Sequence, residues 1–190
     1  MYQKYNTEAI VLGSREHGES DRVFALYTKD FGLVRARASA VRKETSRMRY
    51  ALQSYARSYV GLVRGKRGWR VGGAAAGIEK VEEENLPTFA RIASLVLRLV
   101  AGEGQNPYVF ATLTEAHAAL SSKNLNGARA TIELVCVARI LYGLGYLSEE
   151  ALSTTLFAHT SYSLEHVQEA EGLREKLLAT VNRAINETHL

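Results

Sequence analysis

With 190 residues, 46% of them apolar and 23% charged, the chain has the composition of a soluble globular protein of one large domain or two small ones. Its single cysteine, Cys136, excludes an intrachain disulfide framework and a Cys-only zinc site, and it fits a reducing compartment. The net charge of +4 is unevenly divided: residues 1–80 hold 16 Lys/Arg against 7 Asp/Glu, and residues 81–190 hold 8 against 13, a split expected of two modules with different partners.

The first twelve residues lack the long apolar core and small-residue cleavage site of a secretory signal. Short apolar runs of strand length follow, separated by Gly, Asp and Ser. They predict strands over Thr7–Ser14, Asp21–Thr28, Leu33–Ala40, Leu52–Arg64 and Trp69–Gly73, with Lys29-Asp30-Phe31-Gly32 and Gly65-Lys66-Arg67-Gly68 as turns. Five short strands in about 75 residues suggest a barrel, because closure removes exposed edges.

From Glu82 onward the spacing becomes helical. An acidic start and Pro87 open a helix carrying Ile92, Leu95, Val96, Leu99 and Val100, which Gly102 and Gly104 end. Asn106-Pro107 opens a second helix to about Leu120. A third, about Asn126–Tyr146, is apolar on nearly all sides and belongs at the centre of a bundle. Ser148 can cap a short fourth. Leu173, Leu177, Val181 and Ile185 mark the last helix, which Gly172 separates from a segment starting near Ser163. The longest apolar stretch, Ile132–Leu147, contains Arg139 and is too short to span a bilayer, so a cytoplasmic protein without membrane attachment is expected. The expected architecture is α+β: a five-stranded barrel over residues 1–80, then a helical bundle over 81–190.

The basic barrel suggests a binding surface. Along the third strand Arg35, Arg37 and Ser39 alternate with Val34, Ala36, Ala38 and Ala40, so an apolar set can fill the barrel while the arginines lie outside. Along the fourth, Tyr55, Arg57 and Tyr59 oppose Ala56, Val60 and Leu62. Between them Arg42, Lys43, Arg47 and Arg49 occupy one loop, and Arg64, Lys66 and Arg67 cluster at the next turn beside Trp69. Six cations between Arg35 and Arg49 repel one another unless an anion is near. Guanidinium forks suit phosphate, and exposed Tyr55 and Tyr59 would offer faces to unpaired bases. The two tyrosines could instead pack across strands, and Trp69 could plug the core.

Enzyme signals are weak. Gly61-Leu62-Val63-Arg64-Gly65-Lys66-Arg67 resembles a phosphate-binding loop, but it is one residue short between its glycines and has Arg67 where Ser or Thr must hold magnesium. The five histidines are dispersed, His117 reads as a packed side chain amid alanines, and Cys136 lies in an apolar run. No catalytic residue and no cofactor are expected.

Three ordered motifs, Thr7-Glu8-Ala9-Ile10-Val11-Leu12, Gly18-Glu19-Ser20-Asp21-Arg22 and Phe31-Gly32-Leu33-Val34-Arg35, resemble the N-terminal domain of the bacterial RecO family. Ala40-Val41-Arg42-Lys43, Ser46-Arg47, Leu52-Gln53 and Arg64-Gly65-Lys66 continue that resemblance in order, and Leu141–Leu147 extends it in pattern only. The resemblance implies an OB-fold followed by a helical domain, and a non-enzymatic, nucleoid-associated mediator of bacterial DNA repair. Such a mediator binds single- and double-stranded DNA and anneals strands. It also acts with RecR and the C-terminal tail of single-stranded DNA-binding protein in loading RecA. By position Arg35, Arg37, Arg42, Lys43, Arg47 and Arg64 fall on the family's basic surface. Gly18–Arg22 reads as a structural turn. Arg139 could offer a cation to the acidic tail, or merely reach solvent from its helix as a snorkelling side chain. Many family members carry a four-cysteine zinc knuckle, which this chain cannot form, so no zinc is expected. An RNA-binding OB protein and a protein adapter remain alternative readings.

Overall fold

The computed structural model describes residues 3–148 and 154–188. The chain divides into two compact units, Met1–Lys80 with Val100–Pro107, and Val81–Leu99 with Tyr108–Leu190.

The first unit is a closed barrel of five strands in the order β1-β2-β3-β5-β4: β1 (Lys4–His17), β2 (Asp21–Thr28), β3 (Gly32–Ala38), β4 (Arg57–Gly65) and β5 (Gly68–Ala76). All neighbours are antiparallel except β3 and β5, whose short parallel pairing of Ala36 with Trp69 and Arg37 with Arg70 closes the barrel. β1 is longer than its apolar core predicts. Its first half pairs with β4 through Lys4–Ile10 and its second half with β2 through Ala9–His17, with a bulge between Val11 and Gly13 re-aiming the strand. Polar residues at both ends hide that double role from a hydrophobicity reading.

The interior follows the period of two. Ala9, Val11, Phe24, Leu26, Val34, Ala36, Ala38, Val60, Leu62, Trp69 and Val71 are buried in one cluster, joined by Val41 and Leu52. The expected fourth strand over Leu52–Arg64 starts late. Leu52 follows a one-turn helix, α1 (Met48–Ala51), and Tyr55 sits at φ +66°, a left-handed turn that delays the strand to Arg57. Gly32 also needs a positive φ (+64°), and a Cβ there would stand 2.1 Å from the Gly104 carbonyl oxygen. That close approach exists because Gly104 N–H donates to Phe31 O at 3.0 Å and Glu103 bridges Gly32. The stretch Val100–Pro107 thus groups with the barrel although it follows the first long helix.

The second unit holds α2 (Leu86–Leu99), α3 (Pro107–Ser121), α4 (Arg129–Gly143), α5 (Leu164–Gly172) and α6 (Arg174–Glu187). As the all-round apolar pattern predicts, α4 is the central helix and packs on α2, α5 and α6. It is shorter than expected at both ends: a 3-10 turn precedes it, and Gly145 (φ +82°) ends it. There Tyr146 N–H bonds Leu141 O, and Gly145 N–H bonds Tyr142 O. His117 is buried with its ring edge-on to Phe89 at 5.5 Å. Ser163 caps α5 through His166 N–H, and Gly172 ends it as predicted. The short helix expected after Ser148 falls on residues 149–153, outside the described residues. Among the described residues no helix is long and apolar enough to cross a membrane.

Candidate nucleic-acid interface

Sheet register decides which cations share a face, since directly opposed residues on neighbouring strands project to the same side. Arg15 on β1 opposes Val23 on β2, Val23 opposes Arg37 on β3, and Arg37 opposes Arg70 on β5. The four form one rung across the outer surface, its three arginines exposed. At roughly 4.8 Å per strand spacing the rung is about 14 Å long. Arg35, two residues along β3, is exposed on the same face, while Val34, Ala36 and Ala38, which alternate with the two arginines, are buried.

Asp21 fixes one end of this surface. Its Oδ2 accepts from Arg37 Nε at 2.7 Å and its Oδ1 from Ala40 N–H at 2.7 Å, where Ala40 holds a φ of +54°. The Ala40 amide first, then the Arg37 guanidinium, hold this carboxyl below the ordinary carboxylate value. Gly18, at φ +66°, makes the preceding turn. The Gly18–Arg22 motif therefore serves to set the β1–β2 turn and to anchor the chain leaving β3.

The remaining cations differ in how far they are already engaged. Lys43 and Arg47 in the loop after β3, and Lys66 and Arg67 at the β4–β5 turn, are exposed and have no ion-pair partner among the described residues. Arg42 reaches Glu16 at 3.3 Å, and Arg49 donates to the Tyr50 hydroxyl at 2.7 Å. Arg64 is tied to Glu103 at 2.9 Å and lies over the Trp69 ring, whose Nε1 donates to the same carboxylate at 2.8 Å. Trp69 is 6% exposed and packs against Tyr5 and Phe31, as a core residue. Arg57 is paired with Glu8 and with Glu79, which already satisfies its charge.

The two tyrosines are not brought among these arginines. Tyr59 is exposed on the outer face of β4, but it shares a recess with Asn6, Glu8, Lys29 and Asp30. Tyr55 is half-buried in the turn before β4 rather than on it. The exposed aromatic beside cations is Tyr50, with the Arg49 guanidinium 4.8 Å from its ring centre. Sequence reasoning passed over Arg70 and Arg15. Alternation along Trp69, Arg70 and Val71 marks the first as outward, whereas nothing local shows that β1 continues to Arg15.

Arg139 corrects an expectation. It neither reaches solvent nor offers a cation to a partner: it is fully buried in α4. Its Nε donates to Leu156 O and its Nη1 to Thr160 O, both at 2.7 Å. Both terminal nitrogens reach Ser161 O at 3.3 Å, and the guanidinium lies 4.9 Å from the Tyr162 ring centre. A buried charge is tolerated when its donors are satisfied in this way. The apolar surroundings that suggested a snorkelling side chain instead enclose a staple between α4 and the 154–162 segment. A four-thiolate zinc site does not fit this chain either: Cys136 is wholly buried and burial pushes its thiol up to about 12.

Residues 1–69 match the family described as "Recombination protein O N terminal". Proteins named "DNA repair protein RecO" are similar: that of Pelotomaculum thermopropionicum is 44% identical over 62 residues, 33% of this chain and 24% of the relative. That of Heliobacterium modesticaldum is also 44% identical over 62 residues, 33% of this chain and 23% of its own length. The likeness extends into the helices in the Synechocystis protein, which is 27% identical over 174 residues, 91% of this chain and 55% of the relative. The chain thus spans a quarter to about half of the curated relatives it matches. The five-stranded barrel carries those matched residues, so the likeness to the RecO family is strongest in the N-terminal unit and extends more weakly through the helices.

Proposed function

We propose that this protein is a recombination mediator in DNA repair that binds single- and double-stranded DNA on the outer face of its barrel. The observation that carries the reading is the Arg15–Val23–Arg37–Arg70 rung with Arg35 beside it. Four guanidiniums on one open sheet face, continued by Lys43, Arg47, Lys66 and Arg67, suit a phosphate backbone and repel one another without it. Two strands held by one such surface come close enough to pair, which is the route to annealing. Consistent with the likeness to the RecO family, the protein acts with RecR and with the acidic tail of single-stranded DNA-binding protein to help load RecA. The buried Arg139 does not provide the tail's cation. The barrel acts by charge and position rather than by bond chemistry.

The test is fluorescence-anisotropy titration of a labelled single-stranded oligonucleotide at several salt concentrations. Contacts to about six phosphates give a slope of log affinity against log salt of about −4, with little dependence on sequence. No binding at low salt, or a slope near zero, overturns the reading and makes the basic face a protein-docking surface. A strong preference for RNA over DNA of the same sequence would instead assign the barrel to RNA, through the 2′-hydroxyl.

A further inference from the structure

The inner face of β2 ends in a recess that the outer-face reading does not use. Arg22 precedes Phe24 by two residues, so both point to the barrel interior. Phe24 is 2% exposed in the core, whereas Arg22 emerges where the barrel opens. The recess has a volume of about 250 Å³; Phe24, Val41 and Leu52 form its floor, and Arg22, Arg42 and Arg49 its rim. It falls just below the roughly 300–1,000 Å³ of pockets that enclose drug-sized ligands, so it suits one small planar group rather than a peptide stretch.

Three further details point to a negatively charged occupant. The Nε of Arg22 is buried without a hydrogen-bond partner, an uncommon condition for a guanidinium nitrogen. Glu16, directly opposite Arg22 in the β1–β2 register, touches two rim arginines: Oε1 is 3.6 Å from Arg22 and Oε2 is 3.3 Å from Arg42. That carboxylate is more than half exposed and free to swing away. Arg49 is held to the Tyr50 hydroxyl, which leaves its remaining N–H groups available at the rim.

We propose that this recess binds one unstacked nucleotide of a single strand, its base against Phe24, Val41 and Leu52 and its phosphate on Arg22 and Arg42. The Glu16 carboxylate occupies the phosphate position in the free protein and yields it on binding. An apolar floor joined to forked donors matches a base joined to its phosphate. A duplex, whose bases stay stacked, cannot use the floor. The recess therefore favours single strands over duplex, a preference the open outer rung does not supply. This inference rests on DNA binding by the barrel.

Glu16→Gln and Arg22→Gln change half-exposed side chains outside the core cluster, and the first predicts a gain that misfolding cannot imitate. An oligonucleotide carrying one 2-aminopurine is titrated as a single strand and as a duplex of equal length. Glu16→Gln should tighten single-strand binding about threefold and leave the duplex unchanged beyond a small uniform charge effect. Arg22→Gln should weaken single-strand binding about fivefold and remove the fluorescence change that unstacking produces with the wild-type protein. Equal effects of both substitutions on single strand and duplex would overturn the recess and leave the outer face standing. Absence of any DNA binding at low salt would overturn the DNA reading itself. Tightened binding by Glu16→Gln of an acidic peptide with an aromatic end, with single-strand affinity unmoved, would overturn the nucleotide as occupant.

Discussion

The barrel unit and the helical unit use arginine in opposite ways. On the barrel, Arg15, Arg35 and Arg70 stand on an open face, and Arg37 meets only the rim carboxylate of Asp21. In the helical unit Arg139 is withdrawn from water and satisfied by carbonyl oxygens of one following segment. The first arrangement leaves donors for a partner, and the second uses them up within the fold. Accessibility and bonding state, rather than residue type, separate an arginine open to a partner from a structural one.

That contrast is sharpest where the helical arginine is removed. Arg139→Leu leaves the carbonyls of Leu156, Thr160 and Ser161 without their donors, and should cost about 3 kcal/mol in urea unfolding of the helical unit. Below its melting temperature the variant should bind DNA as the wild type does. A loss of DNA affinity without a loss of stability would break the contrast.

On the barrel, Lys43→Glu with Arg47→Glu should weaken single-strand binding about tenfold or more and flatten the salt slope by about 1.4. Arg57→Gln, which removes a cation already held by Glu8 and Glu79, should leave the slope unchanged and lower barrel stability instead. Equal loss of affinity in both variants would mean that ion pairing within the fold does not decide which cations bind.

The smallest effect belongs to Asp21. Its carboxyl titrates below the ordinary value of 3.8 in the folded protein, so the unfolded chain takes up the proton first as pH falls. Its contribution to stability is therefore complete above about pH 4 and is lost as pH drops through the lowered folded value. Thermal melts of Asp21→Asn should show a modest loss at pH 7 and a shallower acid dependence than wild type below pH 4. Parallel acid curves for the two proteins would remove Asp21 as the anchor of the outer rung.

Much of the fold was legible because alternation and helical spacing report directly on burial. β2 and β3, the barrel itself, the central α4 and the break at Gly172 all follow from local pattern. The late start of β4 was not legible, since a one-turn helix and a left-handed Tyr55 leave no periodic signal in Leu52–Ala56. The candidate site was legible in its charge and less so in its geometry. Arg35 and Arg37 show themselves by alternation, but Arg15 and Arg70 join them only through cross-strand register, which pairs residues far apart in sequence. Arg139 misled because an isolated cation in an apolar helix has the same local pattern whether it reaches water or a ring of carbonyls.

The return of Val100–Pro107 to the barrel carries a consequence for synthesis. Glu103 accepts from the Trp69 indole and pairs with Arg64, while Gly104 ties down Phe31. A nascent chain of 80 residues has all five strands but no acceptor for its tryptophan and no counter-ion for Arg64. At roughly 5–20 residues per second, the ribosome takes about a second or more to deliver the missing segment. During that interval the barrel waits with its tryptophan clamp open while the whole of α2 emerges. A fragment cut after the last strand would keep that unfinished state permanently.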